Sequence, residues 1–175
     1  MKALLLACLL GIAAAGCLVG DDPEGDFSLD EVREWPQPAA YFVGEEFEGL
    51  PLTAILGRRP MTFVYGDCDV PFGSDGGCAP PLEVQLWPIE QRPPSLISTT
   101  IPCRKVTVRG APGAFFGGDL DLYVGEHTIV IFGESRDMAL RAAAALRPVG
   151  ADAASAESLP PPSIDVAPGL RRCSS

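Results

Sequence analysis

Asp119-Leu120-Asp121-Leu122-Tyr123-Val124-Gly125-Glu126-His127-Thr128-Ile129-Val130-Ile131-Phe132 holds two kinds of β-strand side by side. In its first half Leu120, Leu122 and Val124 alternate with Asp119, Asp121 and Tyr123, the period of a half-buried strand. Its second half, Thr128 to Phe132, has no polar face and reads as a central strand buried on both sides. Gly125-Glu126 lies between them, and glycine at the first turn position suits a two-residue II′ hairpin. The single histidine, His127, marks the start of the second strand.

Outward from this hairpin the period stays close to two. Thr62-Phe63-Val64-Tyr65 is a short strand closed by Gly66, and Leu82, Val84 and Leu86 alternate with Glu83, Gln85 and Trp87. Val106 and Val108 alternate with Lys105, Thr107 and Arg109, and Gly117-Gly118 separates the run Ala114–Phe116 from the next strand. Downstream the period changes to helical. Ser135 is an N-cap, Asp137 falls in the electropositive first turn, and Pro148 ends the helix. Met138, Ala142, Ala145 and Leu146 fall on one face, with Arg141 and Arg147 expected to point outward. A doubly buried strand needs a cover, and this helix is the one available. The expected fold is α+β: an antiparallel meander of about five strands with one C-terminal helix on one face, spanning residues 41–150.

The ends of the chain have a different character. Residues 1–16 combine Met1-Lys2 with the apolar run Ala3–Ala15, too short for a spanning helix, which needs about 20 residues, and fitting a secretory signal. Ala13-Ala14-Ala15 satisfies the small-residue cleavage rule and would leave a soluble secreted product. Ala14-Ala15-Gly16-Cys17 instead resembles a bacterial lipobox, in which Cys17 is lipidated, although Ala14 stands where that pattern prefers a branched aliphatic residue. Cysteine parity favours the lipobox. Of six cysteines Cys8 leaves with the signal, and lipidation of Cys17 leaves an even four; an odd thiol is suspect in an oxidising compartment. The expected location is extracytoplasmic, at the outer face of the cell membrane.

Residues 17–40 are rich in Asp and Glu with Arg33 as the only cation, and read as an extended acidic tether. Residues 151–175, rich in Ala, Ser and Pro, read as a disordered tail, with Pro160-Pro161-Pro162 favouring polyproline II. After signal removal 12 cations face 23 acidic residues, a net charge near −11. That balance excludes nucleic acid as a partner, because nucleic-acid binding needs a basic footprint.

Cys68 and Cys78 flank a loop rich in Gly and Asp, and export permits a disulfide between them. Closing so short a loop is worth about 2–3 kcal/mol in the chain-entropy view. Cys103 and Cys173 remain. Four cysteines allow three connectivities, of which 68–78 with 103–173 is the simplest. Alternatively both are free, and Arg104-Lys105 beside Cys103 would lower its thiol pKa, as a thiol-redox enzyme requires.

Other chemistry is thinly represented. Asp67, Asp69 and Asp75 invite a Ca²⁺ reading, but Pro71 and Phe72 break the EF-hand pattern. His127 has no G-x-S-x-G partner, and Ser135 is better explained as a cap. No cofactor, metal or catalytic group is assigned.

Tyr41-Phe42-Val43-Gly44-Glu45-Glu46-Phe47-Glu48-Gly49-Leu50-Pro51-Leu52-Thr53, the stretches Tyr65-Gly66-Asp67-Cys68 and Cys78-Ala79-Pro80-Pro81-Leu82-Glu83-Val84-Gln85, and the helix end Ala145-Leu146-Arg147-Pro148 resemble segments of uncharacterised exported actinobacterial proteins and lipoproteins. The resemblance covers residues 41–148. It implies a shared fold and the 68–78 pairing, and no activity. The expectation is therefore a non-enzymatic, membrane-tethered domain binding a protein, peptide or envelope component. The alternatives are an enzyme using Cys103 and a purely structural envelope protein.

Overall fold

The run His127–Gly133 takes neighbours on both sides, as its lack of a polar face requires, and Thr128 to Ile131 are all buried. The computed structural model describes residues 26–35, 39–67, 79–97, 100–151 and 157–175. In chain order these form α1 (Leu29–Arg33), β1 (Tyr41–Phe42), β2 (Glu46–Phe47), β3 (Leu50–Leu56), β4 (Met61–Tyr65), β5 (Leu82–Pro88), β6 (Cys103–Val108), β7 (Ala111–Phe116), β8 (Asp119–Val124), β9 (His127–Gly133), α2 (Arg136–Ala145), β10 (Arg147–Pro148) and α3 (Ala167–Leu170). Cys17, Cys68 and Cys78, with Asp69 and Asp75, lie outside the described residues.

Eight strands form one antiparallel sheet in the order β2-β3-β4-β5-β9-β8-β7-β6, while β1 and β10 pair as a separate ribbon. The expectation of about five strands in one meander is corrected on both counts. There are two four-strand meanders, β2 to β5 and β6 to β9, joined where β5 pairs with β9 from Leu82↔Gly133 to Pro88↔His127. The turn between β8 and β9 is the expected two-residue hairpin. Val124 pairs with His127, and Gly125 supplies the positive φ of 54° that a II′ turn needs at that position.

Strand alternation sorts the interior into two layers. Leu82, Val84, Leu86, Leu120, Leu122, Val124, Ile129 and Ile131 share a core with α2, which buries Ala139, Ala142 and Ala143 against them. Small residues on α2 let the helix approach closely. Ser135 caps it by accepting from the Met138 N–H at 3.2 Å. Arg141 points outward and pairs with Glu48. Arg147 does not: the helix stops at Leu146, and Arg147 enters β10 with its guanidinium 5.3 Å from the Phe42 ring centre.

The opposite face carries a second, smaller core of Ile89, Ala114, Phe116, Tyr123, Val166, Leu170 and Cys173. It is closed by residues 157–175, part of the 151–175 segment whose composition reads as a disordered tail. Cys103 in β6 is disulfide-bonded to Cys173. The Ser174 N–H donates to the Cys103 carbonyl and the Lys105 N–H to the Ser174 carbonyl, so the last residues cap part of the β6 edge. Arg172 donates to the Pro94 and Ile97 carbonyls at 3.2 and 2.7 Å, fastening α3 to the β5–β6 connection. Beside this layer lies a buried ion pair. The Arg92 guanidinium donates to both oxygens of Asp121, whose side chain is wholly enclosed, and its own carbonyl accepts from the Thr128 hydroxyl at 2.7 Å. Because Asp121 and Tyr123 are buried, β8 is enclosed on both faces and is not the half-buried strand that alternation suggested, whereas β5 buries Glu83 but leaves Gln85 and Trp87 partly exposed.

The segment read as tether is also partly folded. Residues 26–35 belong to the domain: the Phe27 N–H donates to the Ile55 carbonyl, and Val32 is buried in the larger core. A capping box explains why so acidic a stretch is helical. The Glu31 N–H donates to Ser28 Oγ at 3.2 Å, and the Ser28 N–H returns to the Glu31 carboxylate at 2.7 Å.

The Cys103–Cys173 link closes a loop of 70 residues. Its removal in a Cys103→Ser, Cys173→Ser double variant is expected to cost about 2–4 kcal/mol, read as a lower urea midpoint, with new proteolytic cuts in residues 157–175. An unchanged midpoint and cutting pattern would contradict the assignment of this segment to the fold.

Candidate functional site

One end of the sheet opens into a cleft of about 500 Å³. Four stretches remote in sequence build it. The β3–β4 turn supplies Arg58 and Arg59. Gly57 makes that turn feasible: its φ is 60°, and a Cβ there would lie 2.8 Å from the Pro60 carbonyl oxygen. The floor is apolar, formed by Met61, Leu86, Pro88 and Ala40. The far side carries Glu90, just past β5, Glu126 from the β8–β9 turn and His127 at the start of β9. Trp35, at the end of α1, completes the rim.

Register explains the convergence. Met61 pairs with Leu86, and Pro88 pairs with His127. The start of β4 and the start of β9 are thus two inter-strand steps apart, about 10 Å. The arginine side is stiffened by stacking. Phe27 and Trp35 meet edge to face at 5.4 Å, and the Arg58 guanidinium sits 5.2 and 5.1 Å from their ring centres. Among the described residues Arg59, Glu90 and Glu126 make no ion pair, so the cleft presents uncommitted charge of both signs.

His127 is half-buried in this cleft. Burial holds its imidazole below the ordinary value of 6.5, against the opposing pull of Glu126 and Glu90. The sequence placed it only as a strand start, and the structure adds the cleft. No catalytic pairing accompanies it. Ser135 lies beyond the other end of β9, about 20 Å along the strand, and its hydroxyl is occupied with the α2 cap. Cys103 is held in its disulfide, and a bonded sulfur is not a thiolate nucleophile. Asp67 is exposed outside the cleft. Among the described residues no group of three or more His, Cys, Asp or Glu side chains is placed to hold a metal ion, and no helix is long and apolar enough to cross a membrane.

A polar strip on the opposite sheet face is structural in character. The Trp87 indole N–H donates to Gln85, whose amide donates to Glu83. Arg92 lies 5.9 Å from the Trp87 ring centre while pairing with Asp121. Burial pushes the carboxyl groups of Glu83 and Asp121 up, with Gln85 and Arg92 respectively acting against it. Compared with known proteins, the chain matches no family model, no curated protein and no solved structure.

The depressed imidazole makes a pH prediction. A folded-state pKa below the unfolded one means that the unfolded chain binds the proton more readily. The associated stability is complete above pH 6.5 and is lost as pH falls from there through the lowered folded value. Glu83 acts with the opposite sign, starting near its ordinary 4.5, so the informative quantity is a difference. Urea unfolding should show wild type losing stability relative to His127→Gln as pH drops from about 7 to 5. Parallel pH profiles would contradict the burial of a neutral His127.

Proposed function

We propose that this chain is a non-enzymatic lipoprotein, exported and held at the outer face of the cell membrane through Cys17, that binds a peptide or other envelope component in the cleft between Arg58-Arg59 and Glu90-Glu126. The cleft carries the reading. Its volume falls within the range of small-ligand sites, about 300–1,000 Å³, and an apolar floor with a few convergent charged groups is the usual composition of such sites. Its charged side chains come from turns on a rigid sheet, the arrangement that positions binding groups on many scaffolds.

The anchor and the cleft are compatible in geometry. Residues 18–25 separate Cys17 from the first described residue, Asp26. Eight residues span at most about 28 Å, so a lipid on Cys17 would keep the domain close to the bilayer. Asp26 bridges to Leu56, adjoining the turn that carries Arg58 and Arg59. The cleft therefore opens near the point where the tether joins the domain, in reach of envelope components at the membrane surface. The resemblance to exported actinobacterial lipoproteins supports the same location.

Affinity capture from detergent-solubilised envelope tests this reading. The wild-type domain should retain a specific component that an Arg59→Glu, Glu126→Arg variant does not. Both side chains are exposed, so the variant should keep the wild-type urea midpoint. Equal retention by the two proteins, or none by either, would overturn the proposal.

A further inference from the structure

We infer that the ligand of this cleft is a short peptide of two or three residues with both termini free, its carboxylate held at Arg59 and Arg58 and its ammonium at Glu126 and Glu90. The inference rests on the cleft being a binding site and goes further by naming the chemistry that fills it.

Three observations lead to it. The first is the polarity of the cleft. Its two cations come from one side, the β3–β4 turn, and its two carboxylates from the other, past the ends of β5 and β8. A ligand with a single charge would satisfy one side and leave the other facing it unfavourably. A ligand charged oppositely at its two ends satisfies both. Guanidinium groups recognise carboxylates through parallel N–H donors, and carboxylates accept from an ammonium.

The second observation is the spacing. The starts of β4 and β9, which Arg59 and Glu126 adjoin, are two inter-strand steps apart, about 10 Å, and Glu90 follows the intervening β5. An extended peptide advances about 3.3–3.6 Å per residue. Two or three residues span most of that separation, with the reach of the Arg and Glu side chains covering the remainder. A single amino acid carries its two charges too close together to meet both sides at once.

The third observation is what lies between. Met61, Leu86, Pro88 and Ala40 offer an apolar floor, which suits the uncharged middle of a peptide and not a second charged group. The Arg58 guanidinium is held by Phe27 and Trp35, so it meets a carboxylate with little further ordering cost. Arg59 has no ion pair among the described residues and is free to complete the clamp. His127, its imidazole held toward the neutral form, adds no cation beside the ammonium.

Isothermal titration of the mature chain with Ala-Leu-Ala, its N-acetyl, C-amide and doubly capped forms, and free leucine tests the assignment. Ala-Leu-Ala should bind. Each cap should weaken binding by at least about tenfold, the effect of one lost charge-assisted hydrogen bond, and free leucine should bind more weakly than the tripeptide. Arg59→Gln, which leaves Arg58 in place, should shrink the penalty for the C-amide and leave that for the N-acetyl cap unchanged, and Glu126→Gln, which leaves Glu90, should do the reverse. Equal affinity for capped and uncapped peptides would overturn recognition of the termini while leaving the cleft a binding site. Free leucine binding as tightly as the tripeptide would overturn the assigned length. If no probe binds at millimolar concentration the peptide assignment fails, and envelope capture decides separately whether the cleft binds anything.

Discussion

The pairing of β5 with β9 is the constraint on which the rest of the molecule depends. Among the described residues it is the one strand pairing that turns two local meanders into one sheet, and it runs through seven residue pairs without a shift of register. Both strands are apolar where they face α2, and Leu82, Val84, Ile129 and Ile131 are fully buried there. A slip of one residue would turn those side chains to the opposite face and bring Glu83, Gln85 and Thr128 into the larger core. The same register brings Pro88 beside His127, which sets Glu90 near Glu126. The acidic side of the cleft is therefore a consequence of the seam.

Two peripheral segments complete the layers. On the α2 side, α1 adds Val32 to the larger core, and the rings of Phe27 and Trp35 clasp Arg58. On the other side, residues 157–175 bring Val166, Leu170 and Cys173 over Phe116 and Tyr123. Neither segment has enough apolar surface to fold alone. The first is fixed by a capping box and a stacked guanidinium. The second is fixed by the Cys103–Cys173 bond and by the hydrogen bonds of Arg172. Burial on the second face is less complete in its polar accounting: the Tyr123 hydroxyl is enclosed without a hydrogen-bond partner among the described residues.

Local signals in the sequence were strong wherever one residue pattern determined the outcome. Thr128-Ile129-Val130-Ile131-Phe132 could only be a central strand, Gly125-Glu126 could close a two-residue hairpin, and Ser135 could cap a helix. Strands near the β2 edge of the sheet are less legible. β3 contains Pro51 and a register shift between Leu52 and Ala54, so its period is broken. The joining of β5 to β9 has no local signature, because strand adjacency across a long connection is a property of the whole chain. By charge residues 26–35 read as tether, although Ser28-Leu29-Asp30-Glu31 carries the spacing of a capping box. By composition the C-terminal segment reads as disordered, although Cys173 is the residue that ties it down. The cleft was the least legible feature. Arg58, Arg59, Glu90 and Glu126 look like ordinary surface charge in the sequence, and only the registers Met61↔Leu86 and Pro88↔His127 gather them.

Native-state hydrogen exchange followed by NMR tests this account at its centre. If the β5–β9 seam holds one cooperative sheet, the amides of Val84, Leu86, Ile129 and Ile131 exchange only through global unfolding. Their opening free energies then equal the stability measured by urea. Exchange of these amides through a smaller opening, with β2–β5 protected independently of β6–β9, would show that the two meanders fold as separate units and would contradict the account.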